Sequence, residues 1–359
     1  MLAFAGKNTF PGTLRYFSIA VYKSNFHKGP WNILYFGTDQ FAVRPLDRLN
    51  SLRVNSSLID NIEVVCPIEK RREKDIKQQN QALTVRQLAE VNGLTIHNWP
   101  LDRKNLEFLL RFHLGIVVSF GHFLPSWIIN NLQCGAINIH PSLLPKWRGP
   151  SPIVHTLLNG DTETGVSIIE VSPKKFDAGK ILSQNRLQIP PNTPYDELAD
   201  SLSALSSKML VDVLANFNEL RTSAIAQDER EVTEAPKLLK ETSYIKWGEF
   251  TCGYIQRLSC ATRQRFGLKC KWNNQIVTLG KLDICSTSLP GPPEDAVVGQ
   301  PYYDCDENLL FIKCKDGWVG WKSLKMQHRK SITARDFYNG YLVDKNTEKT
   351  TSTLFQNMT

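Results

Sequence analysis

Trp31-Asn32-Ile33-Leu34-Tyr35-Phe36-Gly37-Thr38 decides the fold. Residues 31–36 read as a buried strand, and Gly37-Thr38 turns the chain into a helix predicted around Phe41 to Leu49. A second strand is predicted from Ile62 to Val65. Strand, glycine turn, helix and strand open an α/β architecture, a doubly wound (Rossmann-like) parallel sheet. The Gly-x-Gly-x-x-Gly fingerprint is missing from the turn, so no nicotinamide cofactor is expected.

A second stretch, Cys134 to Gly149, carries the chemistry. In Ile137-Asn138-Ile139-His140 the isoleucines take one face of a short strand and Asn138 and His140 the other. Pro141, Pro145 and Gly149 then break the chain into a loop. Polar side chains at the end of a buried strand are costly unless they act. An Asn can donate to an oxyanion, and a His exchanges a proton near neutral pH. A buried strand from Leu114 to Phe120 lies upstream, and Gly165 to Val171 is predicted downstream, followed by Phe176-Asp177-Ala178-Gly179.

These residues resemble the formyltetrahydrofolate-dependent formyltransferase family. The resemblance rests on Phe36-Gly37-Thr38, Asn138 to Pro145, Arg148-Gly149, Asp177-Ala178-Gly179 and Ala235-Pro236-Lys237-Leu238, and runs from about Asn32 to about Leu342. It implies Asn138, His140 and Asp177 as catalytic residues. It implies 10-formyltetrahydrofolate as co-substrate, with no metal. Phe120, Gly121, His122, Phe123, Leu124, Ser142, Leu143, Leu144 and Pro145 are then expected to line the folate pocket. The Ser-Leu-Leu-Pro-x-x-Arg-Gly and Ala-Pro-Lys-Leu runs point to the branch that formylates initiator methionyl-tRNA. Two departures stand out: Asp39-Gln40 follows Gly37-Thr38 where the family has Pro, and His328-Arg329-Lys330 replaces a Gly-Lys-Lys. Ser142 beside His140 lacks the Gly-x-Ser-x-Gly elbow of a serine nucleophile and is expected to be structural or pocket-lining.

At 359 residues the chain is long enough for two domains with terminal extensions. The net charge of +8 suggests a polyanionic partner. No apolar run is long enough for a membrane span. Residues 1–30 hold Lys7, Arg15, Lys23 and Lys28 and no acid, which reads as a targeting segment for the mitochondrial matrix. The eight cysteines form no Cys-x-x-Cys pair and are expected to be reduced and structural.

A catalytic domain is expected over 31–220, a linker over 221–238, a small β-barrel domain over 239–345 and a polar tail over 346–359. Thr84-Val85-Arg86-Gln87 predicts a capping box opening a helix through Val91. Leu198, Leu202, Leu205, Met209, Val213 and Phe217 keep helical spacing. Between Pro236 and Lys345 stand 17 Lys and Arg against 11 Asp and Glu. By resemblance the barrel is oligonucleotide-fold-like (OB-like) and contacts tRNA. Expected phosphate contacts are Lys70, Arg71, Arg72 and Lys74 in a basic loop, Arg148, and Lys313, Lys315, Lys322, Lys325, Arg329 and Lys330. One site per chain suggests a monomer. A hydrolase of the same co-substrate, a small-molecule amine formyltransferase and a non-catalytic RNA-binding protein stay open as alternatives.

Overall fold

The computed structural model describes residues 27, 29–68, 83–104, 106–262, 265–286, 291–293, 295–343 and 353–358. The expected targeting segment falls almost wholly outside these residues, as do Lys70, Arg71, Arg72 and Lys74.

Strand β1 (Trp31–Gly37) is followed by a 3-10 turn over Gln40–Ala42 and helix α1 (Val43–Asn55). The Asp39 carboxylate accepts from the Phe41 amide at 3.1 Å and starts the turn, so the departure at this position caps a helix entrance. Then come β2 (Ile59–Pro67), α2 (Val85–Val91), β3 (Thr95–Trp99), α3 (Leu106–Leu110), β4 (Leu114–Val118) and α4 (Ser126–Asn131). They are followed by β5 (Ala136–His140), α5 (Pro152–Asn159), β6 (Glu163–Glu170), β7 (Ile181–Gln188), α6 (Tyr195–Ala215) and α7 (Phe217–Thr222). Helix α2 opens on the reciprocal Thr84–Gln87 capping box read from the sequence.

The sheet order is β3-β2-β1-β4-β5-β6-β7. Strands β1 to β5 are parallel and wind outward in both directions from β1, which puts the switch point between β1 and β4. The Thr38 hydroxyl bonds the Ser119 carbonyl across that crevice. Strands β6 and β7 depart from the all-parallel expectation: β6 is antiparallel to β5, and β7 to β6.

Alternation assigns the faces. Ile33, Tyr35, Ile137 and Ile139 pack under α1, α5 and α6, while Leu34, Phe36, Val117 and Ala136 pack under α3 and α4. Each large apolar side chain buried this way contributes about 1.5–3 kcal/mol. The predicted stripe on α6 is buried at Leu198, Leu202, Met209 and Val213, and Phe217 continues it on α7.

The C-terminal part begins with α8 (Cys252–Thr262), which the sequence reading did not identify. Its strands are β8 (Leu268–Trp272), β9 (Gln275–Leu279), β10 (Leu282–Ser286), β11 (Pro301–Asp304), β12 (Leu309–Lys313), β13 (Trp318–Trp321), β14 (Ser323–Met326) and β15 (Ser331–Thr333). The last α-helix is α9 (Ala334–Phe337), which a π-helical turn over Tyr338–Leu342 continues. Strands β8 and β9 form a hairpin, turned by Asn273 and Asn274 at φ of 46° and 61°.

The described strands of this part pair as two four-stranded antiparallel sheets, β10-β13-β12-β11 and β15-β14-β9-β8. They share a core that includes Trp247, Trp272 and Trp321. The tail is not simply polar: Phe355 is buried against the Trp272 ring at 4.6 Å, and Lys271 pairs with Gln356. Cys252 and Cys314 face each other with sulfurs 3.4 Å apart, and the Asp316 carboxylate accepts from the Cys252 amide at 2.7 Å. Burial pushes the Cys252 thiol well above its usual range. Helix α8 also packs on α5, with Arg257 Nε donating to the Leu158 carbonyl at 3.0 Å.

Candidate active site

Strand β5 holds Asn138 half-buried and His140 buried, on the face opposite Ile137 and Ile139. The loop between β6 and β7 folds back across this face. Two backbone bonds pin its ends, Val171 N–H to the Ala136 carbonyl at 2.8 Å and Glu170 N–H to the Lys180 carbonyl at 2.9 Å. Gly179 is needed there because a Cβ would lie 1.7 Å from the Glu170 carbonyl oxygen. This fold-back carries Asp177 to β5. Asp177 Oδ1 accepts from Asn138 Nδ2 at 2.9 Å, and Oδ2 accepts from the Gly149 amide at 3.0 Å. One Asn138 N–H is thus spent on Asp177, and the amide has a second N–H that can donate to another oxygen.

His140 is oriented by the loop that follows β5. Its Nε2 lies 2.8 Å from the Trp147 carbonyl oxygen, which can only accept, so Nε2 carries a proton. Its Nδ1 stands 3.6 Å from Asp177 Oδ1, outside hydrogen-bond range. Trp147, not Asp177, sets the ring.

The loop after β5 is held from both sides. Lys146 Nζ and Trp147 Nε1 bond the two Asp161 oxygens at 2.9 and 2.8 Å. Trp147 has φ of 67° and Asp177 φ of 51°. Such left-handed conformations cost a non-glycine residue about 1–2 kcal/mol each and persist where contacts over-determine them.

The remaining expected residues divide by exposure. Gly121, His122 and Phe123 are exposed, while Phe120 and Leu124 are buried in the core beneath α3 and α4. Phe123 meets the exposed Phe176 ring edge to face at 5.0 Å, beside Asp177. Ser142 and Leu144 are buried, and Leu143 and Pro145 are half-buried. The Ser142 hydroxyl donates to the Lys146 carbonyl at 2.6 Å, so it closes the loop. Arg148 requires a correction. It is 2% exposed, with Nη1 and Nη2 on Glu229 at 3.1 and 2.9 Å and Nε on Gln227 at 2.9 Å, so its guanidinium is buried on protein partners and is not presented at the surface.

Lys325, Arg329 and Lys330 share the β14–β15 hairpin and are exposed, with Arg329 bonded to the Tyr341 hydroxyl at 2.7 Å. Lys322 lies 3.8 Å from Asp283. Lys313 sits over the Trp318 ring, and Lys315 is exposed in the following turn.

Sequence reasoning missed Asp161, Phe176, Gln227, Glu229 and Thr233. Only Asp161 had a local cue, the Asn159-Gly160 helix stop before it. The Ala-Pro-Lys-Leu run meets the Arg-Gly run in space: Ala235 N–H donates to the Arg148 carbonyl at 2.6 Å, and Arg148 N–H to the Thr233 carbonyl at 2.8 Å.

A doubly wound sheet presenting Asn, His and Asp at one strand end is the frame of a group-transfer enzyme. Residues 31–214 match the formyl transferase model and residues 237–342 the formyl transferase C-terminal domain, and the chain belongs to the formyl transferase family. Mitochondrial methionyl-tRNA formyltransferase of Homo sapiens is 39% identical to it over 88% of this chain and 79% of that protein. The Rattus norvegicus protein of the same name is 38% identical, over 88% and 80%. The N-formyltransferase of Helicobacter canadensis, solved with folinic acid and dTDP-3-aminofucose, shares the fold with a TM-score of 0.57 at 15% identity, over 83% of this chain and all of that one.

Proposed function

We propose that this chain transfers the formyl group of 10-formyltetrahydrofolate to the amino group of initiator methionyl-tRNA, in the mitochondrial matrix. The observation that carries the reading is Asn138 held by Asp177, with a second amide N–H able to donate. The amine nitrogen attacks the formyl carbon and gives up a proton, the bond to the folate nitrogen breaks, and that nitrogen leaves with a proton as the N–H of tetrahydrofolate. Asn138 donates to the oxygen that gains charge, a contribution of about 3–4 kcal/mol in comparable sites. Asp177 takes the proton, directly or through a water. His140, fixed by the Trp147 carbonyl, adds its Nδ1 edge to the same pocket. Phe123 and Phe176 offer exposed rings for the flat pterin.

The division into a catalytic domain (31–220), linker (221–238) and C-terminal tRNA-binding domain (239–345) belongs to this reading, as does action as a monomer. Among the described residues no helix is long and apolar enough to cross a membrane. The exposed Lys325, Arg329 and Lys330 are the favoured phosphate contacts of the C-terminal domain.

The test is formyl incorporation into charged methionyl-tRNA, beside a variant with these three residues changed to alanine. Formylation by the wild type, with a raised KM for tRNA and a shallower salt dependence in the variant, is expected. Release of formate with no modified tRNA would instead indicate a hydrolase.

A further inference from the structure

We infer that the segment joining the two halves of the chain is a positioning element of the active site, with Gln227 acting through Asp177. The inference rests on the function proposed above. Gln227 spends its whole amide on the site. Nε2 donates to the Asp177 and Gly179 carbonyls, both at 2.8 Å, and Oε1 accepts from Arg148 Nε at 2.9 Å. Asp177 is the residue held at φ of 51°, and the Gln227 bond to its carbonyl is a contact that fixes this conformation.

The clasp reaches the facing loop as well. Arg148 links Gln227 to Glu229 through a forked pair, and that guanidinium holds the Glu229 carboxyl below its usual range. The Thr233 hydroxyl accepts from the Trp147 amide at 2.8 Å, on the residue whose carbonyl orients His140. One strand of linker therefore grips the backbones that carry Asp177 and orient His140. Neither Gln227 nor Thr233 reaches Asn138 or His140 in these contacts, so both act at one remove. Displacing a catalytic group by about 1 Å costs on the order of a hundredfold in rate.

The experiment measures kcat and both KM values for Gln227→Ala and for Gln227→Met, which keeps the volume and removes both donors. It repeats Gln227→Met in an Asp177→Ala background, and thermal melts accompany every variant. We expect kcat to fall ten- to a hundredfold, with both KM values within about threefold and the protein still folded at the assay temperature. We expect no additional loss where Asp177 is already gone. A Gln227→Met variant as active as wild type would overturn the inference, as would an equal loss in the Asp177→Ala background. The same series is also read as formate released from 10-formyltetrahydrofolate. A wild type inert toward tRNA would then reject the proposed function while the clasp is still judged on that rate.

Discussion

Ser142 shows how one residue's surroundings separate chemistry from support. It follows His140-Pro141, where a nucleophile would be sought, yet its side chain is fully buried and bonded to the Lys146 carbonyl. Ser142→Ala should therefore lower stability by about 1 kcal/mol and leave kcat within about fivefold, read from urea melts and formylation kinetics. A nucleophile's removal would cost several orders of magnitude. Arg148 teaches the reverse: a basic residue in a functional run suggests phosphate contact, but bidentate pairing with Glu229 consumes it. Exposure, which sequence does not report, decided both.

The strand β5 and the loop that folds over it form the working element. Asn138 and His140 were legible because period-two alternation with Ile137 and Ile139 needs no long-range knowledge. Asp177 was legible as a carboxylate in the loop after a predicted strand, with its role implied by the family resemblance, and its partner Gln227 not at all, since a contact across 50 positions leaves no periodic trace. Helix α8 and the docking of Phe355 escaped for related reasons: one lay among turn-rich segments, the other in a polar tail. Gly179→Ala tests the element directly. A methyl group 1.7 Å from the Glu170 carbonyl forces the loop off β5, so stability should drop by about 3 kcal/mol and activity at least tenfold. Gly248→Ala, with open space around its added Cβ, is the control expected to change neither.

Across the whole molecule, the doubly wound part was readable from its apolar runs, whereas the C-terminal pairing into two sheets was not. Short strands do not disclose their partners. One global property follows from the far edge of the first domain. His113 Nδ1 accepts from the Asn32 amide at 2.9 Å, and its ring lies 4.1 Å from that of His27. Burial lowers the pKa of both from 6.5, and for His27 the neighbouring His113 charge adds to this. Below that value the unfolded chain binds more protons than the folded one. The stability of the neutral pair is therefore complete above pH 6.5 and lost as the pH falls through the lowered native values. Melting midpoints between pH 7.5 and 5.5 should decline in wild type and decline less in His113→Gln.

The most direct test of the account is Asn138→Ala against wild type in the formylation of charged methionyl-tRNA, with 10-formyltetrahydrofolate binding measured on both proteins. The account predicts a loss in kcat of at least about a hundredfold with binding of the co-substrate retained. A variant that formylates within about threefold of wild type would contradict it.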